Sequence, residues 1–421
     1  MSEVTAALPT GARDVLPVEA AELDEIESAL CDAFASFGYR RVATPTLELA
    51  EVLDRAQEGG LGAAYRLFDE HGRVLALRPD LTIPAARLIA TRMSDHPGPV
   101  RVSYVASAFR PPTPGRADAA EQRQAGLELV GPGGPEADAE AIAVLAEGLR
   151  AAGLAGVRVG LGSVELTGAV ISAMSLAPDA EAELRTALRA RDHVAWRVAA
   201  EAAGARDGAA EVLATLPGMH GDVEVLDRLE EAVPGAAPAA DRLRRTLGLL
   251  ERHGGREAVV VDLGVMRDWP YYSGVVIEAY APGVGTPVAM GGRYDGLVAL
   301  VGGPRVPASG FALDAGRLAD LLPAPKDGVA SEVAVAVRPA SQEAEVLAAA
   351  FQAAERVRRT GLWAQVTLVD AQPPAFRWEL TVDSSPEGIA YSLHDRANDT
   401  RQAYRSLDDL LAALEAMTGA S

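Results

Sequence analysis

Apolar residues recur at helical spacing in two stretches of the first half of the chain. Between residues 19 and 37 they fall on one helical face, and Gly38 then predicts a stop. Residues 138–152 repeat the pattern, with Asp138 as a candidate N-cap and Gly153 at the end. The inward positions of the two predicted helices are Leu23, Ile26, Leu30, Phe34 and Phe37, then Ile142, Leu145 and Leu149.

Segments rich in β-branched and apolar residues predict strands between and after these helices. They lie at residues 101–109, 126–131, 256–264, 273–283 and 286–292. The last two flank a short PGVG turn, which favours a hairpin and therefore an antiparallel sheet.

The remaining patterns divide the chain into domains. Residues 165–253 lack strand signals and predict an inserted helical lobe, which leaves 1–164 and 254–320 as the core. A connector rich in proline leads to residues 331–421, whose alternating strand and helix signals predict a small C-terminal α/β domain.

Composition narrows the classes of function. The 421 residues carry 59 Asp and Glu against 39 Lys and Arg, and a net charge of −20 disfavours nucleic acid as a partner. Cys31 is the only cysteine and is expected to pack in the core, and the six histidines lack metal-ligand spacing. Because no apolar run approaches the ~20 residues that cross a bilayer, we expect a cytoplasmic protein without a membrane segment.

Two clusters place polar residues where a purely structural strand or turn would not need them. In residues 76–87, Asp80 and Thr82 precede a helical run, and capping that helix is an alternative role. In residues 108–131, Arg110 ends a strand, and alternation puts Gln124 and Glu128 on one face of the next. If that face is buried, the pair needs a partner such as a bound cation; an exposed edge strand is the alternative.

Two further clusters follow the helical lobe. Residues 262–280 contain Arg267 four residues before Tyr271 and Tyr272, although adjacent tyrosines also commonly straddle a sheet. Residues 291–318 are rich in glycine, yet they lack the pattern of a phosphate-cradling loop.

In order along the chain, these motifs resemble the catalytic core of histidyl-tRNA synthetase, a class II synthetase. The resemblance rests on LRPDLT, FR…GR…Q-x-G-x-E, R-x-x-x-YYSG and GGRYDGL…GFALDAGRL, and it covers residues 8–320. It implies an α+β fold, with a mainly antiparallel sheet of six or seven strands flanked by helices. It also implies a dimer that forms through the region of Pro45.

The resemblance also implies roles for individual residues. Asp80 and Thr82 match positions that hold the α-amino group of histidine, and Gln124 and Glu128 line the same pocket. Tyr271 and Tyr272 match the pair that encloses the imidazole. The arginines match residues that act on ATP in the enzyme, and they are Arg110, Arg267 and, in the third motif, Arg317.

The sequence differs from the enzyme at the positions of the ATP and tRNA sites, whereas the positions of the amino-acid pocket are better kept. The loop after Arg110 is rich in proline and lacks the acidic residue of the second motif, and Gly316 replaces the acidic residue before Arg317. The segment after residue 330 is acidic where an anticodon-binding domain needs basic groups.

This pattern, with Asp80 and Leu81 where the synthetase usually has Glu and Gly, resembles the paralogous regulatory subunits of ATP phosphoribosyltransferase. The resemblance implies a non-catalytic subunit without cofactor or metal that binds L-histidine for feedback regulation of histidine biosynthesis. Its implied partner is the short-form catalytic subunit, in a hetero-octamer. An active histidyl-tRNA synthetase and an unrelated histidine-binding or adaptor protein are the alternatives.

Overall fold

The structure is a computed structural model. It describes residues 7–56, 64–112, 119–190, 192–203, 208–265, 272–322, 334–367 and 376–418. The chain forms two compact units, Met1–Leu322 and Pro323–Ser421. Within the described ranges, no helix has the length and apolar character needed to cross a bilayer.

The first unit contains two sheets. Its strands are β1 (Arg40–Arg41), β2 (Leu47–Leu49), β3 (Arg66–Phe68), β4 (Val74–Leu77), β5 (Val100–Phe109), β6 (Glu121–Val130), β7 (Arg158–Ser163), β8 (His220–Gly221), β9 (Val259–Asp262), β10 (Val275–Tyr280), β11 (Ala289–Arg293) and β12 (Ala308–Asp314). The large sheet has the order β1-β5-β6-β12-β11-β10-β7-β9-β8, and β2-β4-β3 form a small sheet. From β5 to β7 in this order every neighbouring pair is antiparallel. The predicted fold class is therefore confirmed, and the hairpin at PGVG joins β10 to β11.

The described residues of the first unit contain twelve α-helices. The helices of this unit are α1 (Pro17–Ser36), α2 (Ala50–Ala56), α3 (Thr82–Arg92), α4 (Pro135–Ala151), α5 (Val164–Ala173), α6 (Pro178–Arg189), α7 (His193–Ala202), α8 (Gly208–Thr215), α9 (Glu224–Ala232), α10 (Ala237–His253), α11 (Leu297–Leu300) and α12 (Ala315–Leu321). In α1, Phe34 is buried and meets Phe311 of β12 edge to face at 5.7 Å. Gly38 then adopts a φ of +86°, which favours glycine and ends the helix as predicted.

The N-terminus of α4 corrects one prediction. The helix begins at Pro135, so Asp138 lies inside its first turn and does not cap it. Asp138 is instead completely buried and paired with Arg293 of β11, with Nη2 2.7 Å from the carboxylate. Asp138, which the sequence suggested as a helix cap, therefore forms a buried ion pair instead.

The segment predicted as a helical lobe contains α5 to α10 and only the two-residue strand β8. Side chains cap the N-termini of two of its helices. Ser163 accepts a hydrogen bond from Leu166 N–H at the start of α5, and Asp192 accepts hydrogen bonds from Val194 and Ala195 N–H at the start of α7. Trp196 is buried and donates to the Leu213 carbonyl, which joins α7 to α8.

The described residues of the second unit form a single sheet and two helices. Its elements are β13 (Ala334–Pro339), α13 (Ala344–Arg359), β14 (Trp363–Val366), β15 (Trp378–Ser385), β16 (Gly388–Asp395), β17 (Thr400–Tyr404) and α14 (Leu407–Thr418). The strand order is β14-β13-β15-β16-β17, with β13 parallel to β14 and β15. Apolar residues of both helices and of the central strands form its separate core.

Candidate functional site

A short loop between β4 and α3 carries Asp80 and leads into Thr82, the first residue of α3, and two arginines hold the loop in place. Arg78 is buried and donates to the carbonyls of Ser107 and Thr44, each at 2.7 Å. Arg110, at the end of β5, donates from Nε to the Pro79 carbonyl at 2.7 Å. The loop is therefore fixed against β5.

The neighbouring strand β6 supplies Gln124 and Glu128. It lies between β5 and β12, and Glu128 is only 2% exposed, so the alternative of an exposed edge strand is wrong. Gln124 reaches the loop, because its Oε1 accepts a hydrogen bond of 2.8 Å from Leu81 N–H. A polar side chain on this face of the sheet therefore contacts the loop before α3.

A tyrosine that the sequence reasoning missed connects the loop to the buried glutamate. Tyr104 of β5 donates to Glu128 Oε1 at 3.0 Å, and its hydroxyl lies 3.3 Å from that of Thr82. Its position opposite Gly126, two residues before Glu128, explains the contact. The same strand also carries Arg101, Ser103 and Ser107, so its composition did not single out Tyr104.

Two carboxylate oxygens in this cluster lack a hydrogen bond from any described residue. Asp80 Oδ1 accepts from Ile83 N–H and so caps α3, but its Oδ2 and Glu128 Oε2 are buried without a partner. Burial raises the pKa of Glu128 well above its ordinary range and also raises the pKa of Asp80, against the opposing effects of Ile83 N–H and the Arg110 guanidinium. A cation or N–H donor entering the site would satisfy both oxygens.

Glycines make room on the same face of the sheet. A Cβ atom at Gly310 would lie 2.3 Å from Glu128 Oε2 and 2.4 Å from Tyr294 Oη, so both polar atoms converge on this glycine. At Gly292, which is opposite Gly310, a Cβ would lie 2.8 Å from Tyr272 Cε1. The backbone here accommodates two tyrosine rings, which meet edge to face at 6.2 Å.

We call this cluster the Glu128 pocket, and it consists of Asp80, Thr82, Tyr104, Gln124, Glu128, Tyr272 and Tyr294. Of the residues singled out in the sequence, Arg267 and Tyr271 lie outside the described residues. The described part of the chain contains no group of three or more His, Cys, Asp or Glu side chains that could hold a metal ion. Aromatic rings beside two unsatisfied carboxylates fit a small organic cation.

A cavity of about 600 Å³ lies at the start of β6 and beside the N-terminus of α12. Its charged lining residues are Arg13, Arg123 and Arg317 against Asp24, Glu27, Glu121, Asp314 and Asp320. Arg123 is already engaged by Glu27 through two hydrogen bonds, of 2.7 and 2.6 Å. Carboxylates outnumber guanidinium groups in this acidic cavity, which disfavours a polyphosphate.

The chain is similar to two groups of known proteins. The sequence model described as histidyl-tRNA synthetase matches residues 11–318. ATP phosphoribosyltransferase regulatory subunits are 43% identical over 317 residues in Moorella thermoacetica (74% of this chain, 80% of the relative) and 42% identical over 370 residues in Symbiobacterium thermophilum (86% and 91%).

Two solved structures extend the comparison. An ATP phosphoribosyltransferase regulatory subunit/histidyl-tRNA synthetase from Bacillus halodurans C superposes with a TM-score of 0.78 at 26% identity, covering 88% of this chain and 95% of the other. Histidyl-tRNA synthetase from Nostoc sp. PCC 7120 gives 0.80 at 19% identity over 99% and 100%, a likeness of fold alone.

Proposed function

The chain belongs to the family of ATP phosphoribosyltransferase regulatory subunits, and from that premise we propose that it binds L-histidine in the Glu128 pocket as a feedback sensor. The observation that carries the proposal is the pair of buried, unsatisfied oxygens, Asp80 Oδ2 and Glu128 Oε2. Glu128 Oε2 and Tyr294 Oη both converge on Gly310, and the ring of Tyr272 lies against Gly292 and Tyr294. A ligand with two separate N–H groups and a planar ring matches these features.

In the proposed complex, the α-ammonium group of histidine binds near Asp80 and Thr82. The imidazole packs against Tyr272 and donates its N–H to Glu128, whose other oxygen is already held by Tyr104. Gln124 keeps the loop in place through Leu81 N–H. The Arg110 guanidinium opposes the rise in the pKa of Asp80, and in the proposal Arg110 and Arg267 bind the carboxylate of the ligand.

In the proposal, histidine regulates the complex because it binds one arrangement of the subunits more tightly than another. We propose that histidine favours one arrangement of a hetero-octamer that contains this chain and the short-form catalytic subunit, and that this shift inhibits the catalytic subunit. The same chain is proposed to be needed for activity of the catalytic subunit and to self-associate as a dimer through its synthetase-like core. No bond is made or broken by this chain in the proposal.

The first test of this proposal is whether the chain binds histidine without converting it to histidyl-adenylate. We expect the purified chain to release heat on titration with L-histidine but to form no histidyl-adenylate, because carboxylates outnumber cations in the acidic cavity beside Arg317. The measurement is histidine-dependent exchange of pyrophosphate into ATP, with an authentic histidyl-tRNA synthetase as positive control. Exchange above the enzyme-free background would favour the synthetase alternative instead.

A second expectation concerns tRNA. At physiological salt, a chain with a net charge of −20 should show no specific affinity for histidine tRNA. Its basic side chains would neutralise too few tRNA phosphates to offset the repulsion between those phosphates and its acidic surface. Filter binding with histidine tRNA and an unrelated tRNA measures this difference. Submicromolar binding that prefers the histidine tRNA would contradict the proposal.

A further inference from the structure

Glu128 carries a buried carboxyl group that forms no ion pair with any described residue. It lies on β6 and is 2% exposed. Hydroxyl groups face it from β5 and α3, those of Tyr104 and Thr82, and the buried carboxyl group of Asp80 acts on it from the loop before α3. The Tyr294 hydroxyl approaches the same glycine as Glu128 Oε2. The described groups around this carboxyl therefore supply hydrogen bonds but no positive charge.

These surroundings favour a protonated Glu128 in the empty pocket. Burial, together with the charge of Asp80, raises the pKa of Glu128 well above its ordinary range, against the opposing hydrogen bonds from the hydroxyls of Tyr104 and Thr82. Glu128 Oε1 accepts the Tyr104 hydroxyl at 3.0 Å, whereas Oε2 is buried without a hydrogen-bond partner. The proton therefore belongs on Oε2, which is the oxygen that meets the ligand in the proposed complex.

Imidazole is a base that can accept this proton. Its side-chain pKa in water is about 6.5, so the ring of free histidine has one unprotonated nitrogen near pH 8. The ring of Tyr272 meets that of Tyr294 edge to face at 6.2 Å, and aromatic faces attract a cation more strongly than a neutral ring. Once the proton has moved, Glu128 is a carboxylate that the Tyr104 hydroxyl already holds, and it lies against an opposite charge.

We propose that Glu128 transfers its proton to the imidazole ring, so that the pocket holds histidine as an imidazolium ion against a carboxylate. The inference rests on the proposed function, because it concerns the ligand of that same pocket. The O–H bond at Oε2 breaks and its electron pair stays on the oxygen, while the unprotonated ring nitrogen forms an N–H bond. The two opposite charges appear together, and no proton is exchanged with water. The pocket thereby selects a ligand with a basic ring.

The protonation state of the bound ring tests the transfer directly. Nitrogen NMR on L-histidine with an isotope-labelled ring distinguishes a ring with two N–H groups from a ring with one. At about pH 8, where the free ring is neutral, we expect both ring nitrogens to be protonated in the complex with the full wild-type chain. Glu128→Gln has no proton to give, so its ligand should keep one unprotonated nitrogen. Glu121→Gln, at the exposed start of the same strand, is the control and should behave as wild type.

Calorimetry in buffers of different ionisation enthalpy identifies the source of the proton. The dependence of the binding heat on the buffer counts the protons that the complex exchanges with water. Wild type and E128Q should exchange the same number, because in wild type the proton moves from Glu128 to the ligand inside the pocket. E128Q also serves as the reference for every other titrating group, including Asp80.

The basicity of the ring should decide which analogues bind. Triazolylalanine keeps the size of histidine and a ring N–H, but its ring is a much weaker base. Each pKa unit lost by the proton acceptor costs up to about tenfold in a complete transfer, so this analogue should bind wild type at least about tenfold more weakly than histidine. In E128Q neither ligand receives a proton, and their affinities should differ by less than about threefold.

The outcomes separate the two proposals. An absence of histidine binding in wild type and in both variants would refute the proposed function. Bound histidine with one unprotonated ring nitrogen in wild type would refute only the proton transfer. If wild type released one more proton to water than E128Q, Glu128 would give its proton to the solvent. If wild type took up one more, Glu128 would be ionised before binding, and either result would overturn the inference.

Discussion

Replacing Arg293 with methionine is expected to lower the free energy of unfolding of the first unit by about 3–5 kcal/mol. Arg293 is 1% exposed and donates to Asp138, to the Gly134 carbonyl and to Asp295. Without it, Asp138 would be a buried carboxylate whose remaining partner is the Ser309 hydroxyl at 3.1 Å. Burial already raises the pKa of Asp138 in the intact pair, which indicates how poorly the site would tolerate an unpaired charge.

Urea denaturation followed by circular dichroism measures this loss. Arg185→Met is the matched control, since its pair with Glu181 is exposed and should contribute less than about 1 kcal/mol. Adding Asp138→Leu to R293M should recover most of the stability, because it removes the unpaired charge. A stability loss for R293M as small as that of the control would mean that water solvates the pair.

Patterning predicted the helices and the central hairpin because these depend on local periodicity. The predicted start of β6 at residue 126 was five residues late, since the structure begins this strand at Glu121. Residues 121–124 are polar, and their strand conformation comes from pairing with β5, where Glu121 lies opposite Phe109. Asp138 was misassigned for a similar reason, because its partner Arg293 is 155 residues away. Contacts of that range leave no local pattern.

The candidate site likewise contains some residues that the local pattern predicted and others that depend on contacts distant in sequence. Alternation along β6 was enough to place Gln124 and Glu128 on one face, and the structure brings them together with Asp80 and Thr82. The roles assigned to these residues stay predictions. Periodicity did not identify Tyr104, because the reason for its importance is the strand register that sets it opposite Gly126. The glycine floor was also missed, since a glycine in a strand equally predicts a bulge or a turn.

The other large effect is expected at Glu128, where Glu128→Gln should weaken histidine binding roughly tenfold to more than a hundredfold. The change keeps size and one hydrogen bond from Tyr104, but glutamine cannot become the carboxylate that receives the ligand N–H in the complex. Losing a charge-assisted hydrogen bond in a buried site costs on the order of 1.5–3 kcal/mol. Calorimetry measures the affinity, and Glu121→Gln, the same change at an exposed end of the same strand, should alter it less than about twofold.

The same substitution should make the empty protein more stable, which distinguishes a lost ligand contact from a damaged fold. Burial raises the pKa of Glu128 in the folded chain, so an empty pocket retains a proton that the unfolded chain releases above its ordinary carboxyl pKa. The stability contributed by the protonated carboxyl is complete below that pH and is lost as pH rises toward the raised value. Glutamine does not titrate, so the midpoint of thermal unfolding of E128Q should rise relative to that of wild type as the pH increases above the ordinary carboxyl pKa.

In a reconstituted complex, E128Q should still activate the catalytic subunit, while inhibition should require far more histidine. Activation needs a folded and assembled regulatory subunit, and the isosteric change leaves both intact. Inhibition needs the ligand to favour one arrangement of the complex, and that preference is limited by its differential affinity. If E128Q instead left the half-inhibitory histidine concentration unchanged in an intact complex, Glu128 would serve only the buried network with Tyr104, and histidine would have to act at another site.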